Sequence, residues 1–301
     1  MKKILIIGAG AIGGFYGAKL SQSGAEVTLL CRSDYDQVKK NGMEIKSYLG
    51  DFNFKPHQII RNSNEYKDVP DYVLVTTKVL PEINLKELLS PVIKKDTAIV
   101  LIQNGIHIEQ AFVELFPNQE LISILAFVCV SKIDKGKIFH QDYGKLIIGN
   151  FPRLYSKKAE HLAYLWKKSG IDVELSQDIL KDRWKKLIWN AAFNPISVLS
   201  GGCNTSEILK NYATKNLAIN VMNEVLLLSK LDGVLIEEDV IEKNISMTEK
   251  MKPYKTSMLL DFEANRKLEI EAILGNALKF AKEKSIAVPY ISTLYALLTC
   301  Y

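Results

Sequence analysis

The 301-residue chain is short of the features that mark several protein classes. It has four cysteines, Cys31, Cys129, Cys203 and Cys300, and no two stand at the spacing of a zinc site or a thiol redox motif. Reduced thiols in a cytoplasmic protein, with no bound metal, are the expectation. No block of like charges reaches the ~5–6 residues of a nucleic-acid or membrane-surface footprint. The formal net charge is only +5, from 39 basic and 34 acidic residues. No apolar run approaches the ~18–20 residues of a membrane span. The opening apolar stretch Ile4–Ile7 is shorter than the ~7–15 residues of a signal-peptide core. The sequons at Asn204 and Asn244 therefore carry no weight. There is no internal repeat or low-complexity segment. These absences leave an ordinary globular protein, 48% hydrophobic and 24% charged, whose mild positive charge suits an anionic small ligand.

What is present divides in two. Up to about residue 175, apolar bursts alternate with helical patterns. Strands are predicted at Ile4–Ile7, Val27–Leu30, 72–76, Ala98–Ile102 and 121–130, with helices at 11–23, 83–89 and 108–115. That alternation predicts a parallel sheet covered on both faces. Shorter strands near Lys137–His140 and 145–148 read as an antiparallel appendage. From Asp178 onward helical periods dominate, at 179–199, 213–231, 237–247, Ser257–Glu263, 269–284 and 291–298. Two domains, 1–175 and 176–301, are expected.

The first strand runs into Gly8-Ala9-Gly10-Ala11-Ile12-Gly13. A G-x-G-x-x-G run between a strand and a helix suits a dinucleotide: a tight turn, close backbone approach to a pyrophosphate, and a helix start that favours phosphate. An NAD-type site would place an acid at the end of the second strand. Here that strand ends in Cys31-Arg32-Ser33. Arg32 can fork onto a 2′-phosphate, which points to NADP; the plainer alternative is a solvated arginine. Asp34 reads as the N-cap of the next helix. Lys78 and Asn104-Gly105 also follow strands, where ligands bind in open α/β sheets.

In the helical half, Lys186, Asn190 and Asn194 recur at four-residue spacing and share one helix face, bordered by apolar residues. Polar groups facing a core need partners or a ligand. Pro195 is expected to end or kink the helix there. Ser257 alone reads as an N-cap, Asn265 as a left-handed helix end, and Glu269 as first-turn charge complementarity.

Together, Gly8–Gly13, Arg32, Lys78, Asn104-Gly105, the stretch 184–195 and the stretch 257–271 resemble the ketopantoate reductase family over nearly the whole chain. The resemblance implies an NADP-binding Rossmann domain followed by an all-α domain of the 6-phosphogluconate dehydrogenase C-terminal type, with the active site in the cleft between them. It implies NADPH-dependent reduction of ketopantoate in pantothenate and coenzyme A synthesis. By the same resemblance Lys186 is the general acid. Asn190 and Asn194 hold substrate and lysine, Ser257 meets the substrate carboxylate end, and Glu269 binds the substrate hydroxyl or the lysine. Asn104 lies by nicotinamide and substrate, Arg32 and Lys78 contact cofactor phosphate, and Asn204 is a further substrate-side asparagine. Tyr254, Leu268, Lys267 and Asn265 depart from the pattern, and Tyr254 replaces an asparagine expected on the substrate. A member reducing a different 2-keto acid with NADPH, or an idle NADP-binding sensor, are the alternatives. The apolar final helix leaves a homodimer open.

The expected roles agree with elementary chemistry. Adding hydride to C2 of a 2-keto acid puts charge on the carbonyl oxygen, and a positioned ammonium stabilises that charge and donates its proton.

Overall fold

The computed structural model describes all 301 residues, which cluster into two compact units. One comprises 1–103 with 109–179; the other comprises 104–108 with 180–301. Asn104–Ile108, inside the range 1–175 given above to the nucleotide-binding domain, thus belongs with the helices.

The first unit contains β1 (Lys3–Ile7), α1 (Ala11–Gln22), β2 (Glu26–Leu30), α2 (Tyr35–Asn41), β3 (Met43–Ser47), β4 (Phe52–Phe54), β5 (Gln58–Ile60), β6 (Tyr72–Val75), α3 (Leu85–Leu89) and β7 (Ala98–Ile102). It continues with α4 (Gln110–Leu115), β8 (Leu121–Asp134), β9 (Lys137–Asn150), α5 (Lys157–Lys168) and β10 (Val173–Leu175). Ile4, Leu5, Ile6 and Ile7 are all fully buried, as a strand covered on both faces requires. Strands β5, β2, β1, β6, β7 and β8 lie side by side in that order, all parallel. This is the doubly wound arrangement, in which the order reverses beside β1 and opens a crevice at the carboxyl ends of the strands. The register pairs Ile7 with both Leu30 and Val75. Gly8, Cys31 and Thr76 therefore leave the sheet side by side.

The expected antiparallel appendage is instead the far half of the same sheet. Strand β9 is one continuous strand of 14 residues, antiparallel to β8 through three register irregularities. Strand β3 joins β9 in parallel and β4 closes the edge. Gly144, with φ +137°, gives the bend that makes the pattern look broken in sequence. Helix α5, capped by the Ser156 side chain on the Ala159 amide, buries Leu162 and Trp166 in this unit's core.

The second unit is helical: α6 (Ile179–Leu199), α7 (Thr205–Lys210), α8 (Tyr212–Leu231), α9 (Val240–Lys250), α10 (Ser257–Glu263), α11 (Asn276–Glu283) and α12 (Pro289–Leu298). Helix α8 packs on α7, α9, α11 and α12. Its buried Glu224 accepts the Tyr290 and Ile291 amides at 3.0 and 2.8 Å, satisfying the start of α12. Pro195 neither ends nor replaces α6, which runs on to Leu199. An interior proline costs about 3 kcal/mol. Phe193 and Ile196 on either side are buried and contribute about 1.5–3 kcal/mol each, so packing outweighs the lost backbone bond.

Candidate active site

In the first unit the glycine run adopts the turn that the sequence predicts. Gly8 has φ +111°, and a Cβ on Gly13 would stand 2.0 Å from the Gly8 carbonyl oxygen. Around Gly10 nothing lies within 4 Å of such an atom, so that side of the turn is open. Helix α1 starts after Gly10 with no side-chain cap. Thr76 fastens the turn from β6, its hydroxyl donating to the Gly8 carbonyl at 2.6 Å. Lys78 follows in the same half-buried loop.

Beyond β2, Arg32 is exposed and its guanidinium has no protein partner. Asp34 occupies the N-cap position of α2, but its carboxylate caps nothing there. It is buried and accepts from Lys132 Nζ at 2.8 and 2.9 Å, from the Gly136 amide at 3.0 Å and from the Ser33 hydroxyl at 2.8 Å. Burial alone would raise the Asp34 carboxyl. The Lys132 ammonium and the other two donors outweigh it and hold the group below its ordinary value.

In the second unit, Lys186 donates to Asn104 Oδ1 at 3.1 Å. Asn104 is held by its own turn: Gly105, with φ +99°, lies so close to Ala272 that a Cβ would stand 2.4 Å from that carbonyl oxygen. Three side chains pin the segment further. Arg183 Nη1 donates to the Gly105 carbonyl at 2.9 Å, Asn276 Nδ2 to the Ile106 carbonyl at 2.8 Å, and His107 Nε2 pairs with Asp232 at 2.9 Å.

Asn104, Asn194, Ser257, Met258, Asp261, Glu269 and Ile273 line a small solvent-open recess. Asn194 is almost completely buried, and its Oδ1 has no hydrogen-bond partner. A buried acceptor left open costs about 1–3 kcal/mol unless a ligand or water donates to it. Asn190 lies on α6 between Lys186 and Asn194; both asparagines are buried and Lys186 is half-buried. Ser257 does not cap α10; Thr256 does, accepting the Leu259 amide, which leaves the exposed Ser257 hydroxyl on the recess. Asn265 takes φ +50°, the expected left-handed end.

Burial lowers Lys186 from its ordinary value of 10.5 to about 7, the Arg183 charge adds to the fall, and Glu269 opposes it. Glu269 therefore does not hold the lysine at its ordinary value: burial wins.

Asn204 lies apart from the recess lining. It caps α7 in a reciprocal box, its side chain accepting the Ser206 and Glu207 amides while Glu207 accepts the Asn204 amide. Tyr254 is tied through its backbone to Thr205 at the same helix start. Sequence reasoning gives no role to Arg183, Met258, Asp261 or Ile273. Arg183 stands one turn before Lys186, a spacing that could have flagged it. Ile273 belongs to a π-helical turn, Glu271–Gly275, which no periodicity signals.

Similarity to known proteins agrees with this arrangement. The ketopantoate reductase PanE/ApbA family matches residues 4–153, and its C-terminal counterpart matches 178–301. A 2-dehydropantoate 2-reductase of a Nostoc species is 36% identical, covering 98% of this chain and 93% of its own. The crystal structure of 2-dehydropantoate 2-reductase from Methylococcus capsulatus superposes with a TM-score of 0.93 at 43% identity, over 99% of this chain and 96% of that one. That from Geobacter metallireducens superposes at 0.92 with 32% identity, over 99% of both. With both halves matched in order and two compact units of the corresponding kinds, the chain belongs to the ketopantoate reductase family, a family of oxidoreductases.

Proposed function

We propose that the chain reduces 2-dehydropantoate (ketopantoate) to pantoate with NADPH, as in pantothenate and coenzyme A synthesis, and that Lys186 is the general acid. The observation that carries this reading is the recess beside Lys186: an ammonium held by Asn104, an open buried amide oxygen on Asn194, and the hydroxyl of Ser257. The names of the Nostoc and Methylococcus relatives support the choice of substrate. For the cofactor, the open Gly10 turn, the uncapped start of α1 and the unpartnered Arg32 suit a pyrophosphate and a 2′-phosphate. Lys78 would add a further phosphate contact. Bound NADPH supplies the hydride.

The protein's own groups do the rest. Asn104 orients the Lys186 ammonium. Lys186 stabilises the negative charge developing on the carbonyl oxygen and passes its proton there. Asn190, Asn194 and Ser257 hold the substrate's polar groups, and Glu269 receives the product hydroxyl or steadies the lysine. A general acid serves best with a pKa near the working pH, and Lys186 sits at about 7. The reaction takes a small 2-keto acid and needs no nucleic acid, the apolar final helix suits a homodimer, and no helix is long and apolar enough to cross a membrane.

A different 2-keto acid is the second reading, favoured by Tyr254 and Leu268 where the family pattern has smaller polar residues.

The sign of the pH dependence tests the role of Lys186. Reduction needs the protonated amine, so kcat/KM for ketopantoate reduction falls as pH rises through about 7. Oxidation of pantoate needs the free amine and rises over the same interval. A reduction rate that is flat there, or one that rises, contradicts the general-acid assignment. Absence of turnover with ketopantoate at every pH contradicts the substrate.

A further inference from the structure

Asp34 stands four residues past the end of β2, close to where an NAD-type site keeps the acid that accepts the ribose hydroxyls. It is two residues from Arg32, so no more than about 7 Å separates them along the chain. An ionised carboxylate there would repel a 2′-phosphate and offer an acceptor to an unphosphorylated ribose. Asp34 does neither in this fold. It is 1% exposed, and both oxygens are filled by Lys132, Ser33 and Gly136. Lys132 comes from β8 and Gly136 from the turn into β9, both remote in sequence from the nucleotide motif. Nothing comparable restrains Arg32, whose guanidinium is exposed and unpartnered.

We propose that Lys132 is a specificity-determining residue: by neutralising Asp34 and drawing it into the protein, it keeps the Asp34 carboxylate from opposing Arg32 at the 2′-phosphate. The inference rests on the NADP reading above. A merely structural Lys132 would affect phosphorylated and unphosphorylated nucleotides alike. A specificity role changes their ratio.

The test is calorimetric titration of the full chain with 2′,5′-ADP and with 5′-AMP. The wild type is expected to bind 2′,5′-ADP the more tightly. Lys132→Gln keeps a donor to Asp34 but removes the charge, and is expected to lower that preference roughly tenfold, the size of one unscreened charge at such a distance. Lys132→Arg keeps the preference. Lys132→Gln combined with Asp34→Asn restores it, because no carboxylate is left to repel the phosphate. Lys132→Met, which strands a buried carboxylate, is read only if it folds; the Gln variant carries the test otherwise. An unchanged ratio in Lys132→Gln overturns the inference, as does a double variant that stays at the Lys132→Gln ratio. A wild type without preference for 2′,5′-ADP overturns the NADP reading itself and the inference with it.

Discussion

Replacing Lys186 with alanine is expected to lower turnover of ketopantoate by roughly 10²–10⁴-fold, the usual size of a general acid's contribution, while NADPH still binds. The two effects separate because Lys186 belongs to the helical unit and the glycine turn to the other. Removing the Lys186 ammonium has the opposite sign in stability. Lys186 has a folded-state value lowered to about 7, so between there and its ordinary 10.5 the unfolded chain binds more protons. Stability therefore rises with pH across that window, and the cost of burying the ammonium is greatest below it. Lys186→Met removes that cost and keeps the aliphatic packing, so its melting temperature is expected to exceed the wild type's below about pH 7. Loss of activity accompanied by a gain in stability is the mark of a strained functional residue. Near-normal turnover in Lys186→Ala would show that the proton comes from elsewhere.

The second large effect is expected at Gly13. A Cβ there would meet the Gly8 carbonyl oxygen at 2.0 Å and the Thr76 hydroxyl at 2.5 Å. The first obstacle is backbone, so the turn between β1 and α1 must open. Gly13→Ala is expected to abolish measurable NADPH binding and to cost about 1–3 kcal/mol or more of stability, as overpacking does, seen as a melting temperature lower by several degrees. Gly10→Ala is its control. With open space around that position, the fold should keep its melting temperature, while the methyl group stands where a pyrophosphate would approach. Gly13→Ala binding NADPH normally would mean that the nucleotide does not use this turn.

Much of the fold is legible in the residues. Short apolar bursts such as Ala98–Ile102, too short for a helix and rich in β-branched residues, suit strands buried on both faces, and β7 has those bounds. Helix α6 and helix α10 likewise begin and end where their periods do. Short edge strands are harder. Strands β4 and β5 have three residues each, too few for a period, and are specified by pairing with β3 and β2. Helix α7 is fixed by a capping box at Asn204 rather than by its own length. Pro195 misleads because local propensity counts for less than a buried helix face.

The candidate site divides in the same way. Residue type and four-residue spacing are enough to single out Lys186, Asn190 and Asn194 on α6. Their electrostatics are not written in the spacing. The lowered Lys186 value depends on burial and on Arg183, and the hold on Asn104 depends on Ala272, Asn276 and Asp232, which lie far along the chain. Asp34 shows the same limit: its sequence position suggests a helix cap, while its partners Lys132 and Gly136 are fixed only by the folded sheet.

The central claim is tested most directly by following oxidation of reduced nicotinamide with ketopantoate, beside a small panel of other 2-keto acids, with NADPH and NADH in parallel. The account predicts fast turnover for ketopantoate with NADPH, and much less with NADH or the other acids. Activity confined to another 2-keto acid would keep Lys186 in its role and move the substrate, with Tyr254 the first residue to exchange for asparagine. Silence with every acid, from protein that binds NADPH, would contradict the account and leave a nucleotide-binding sensor in its place.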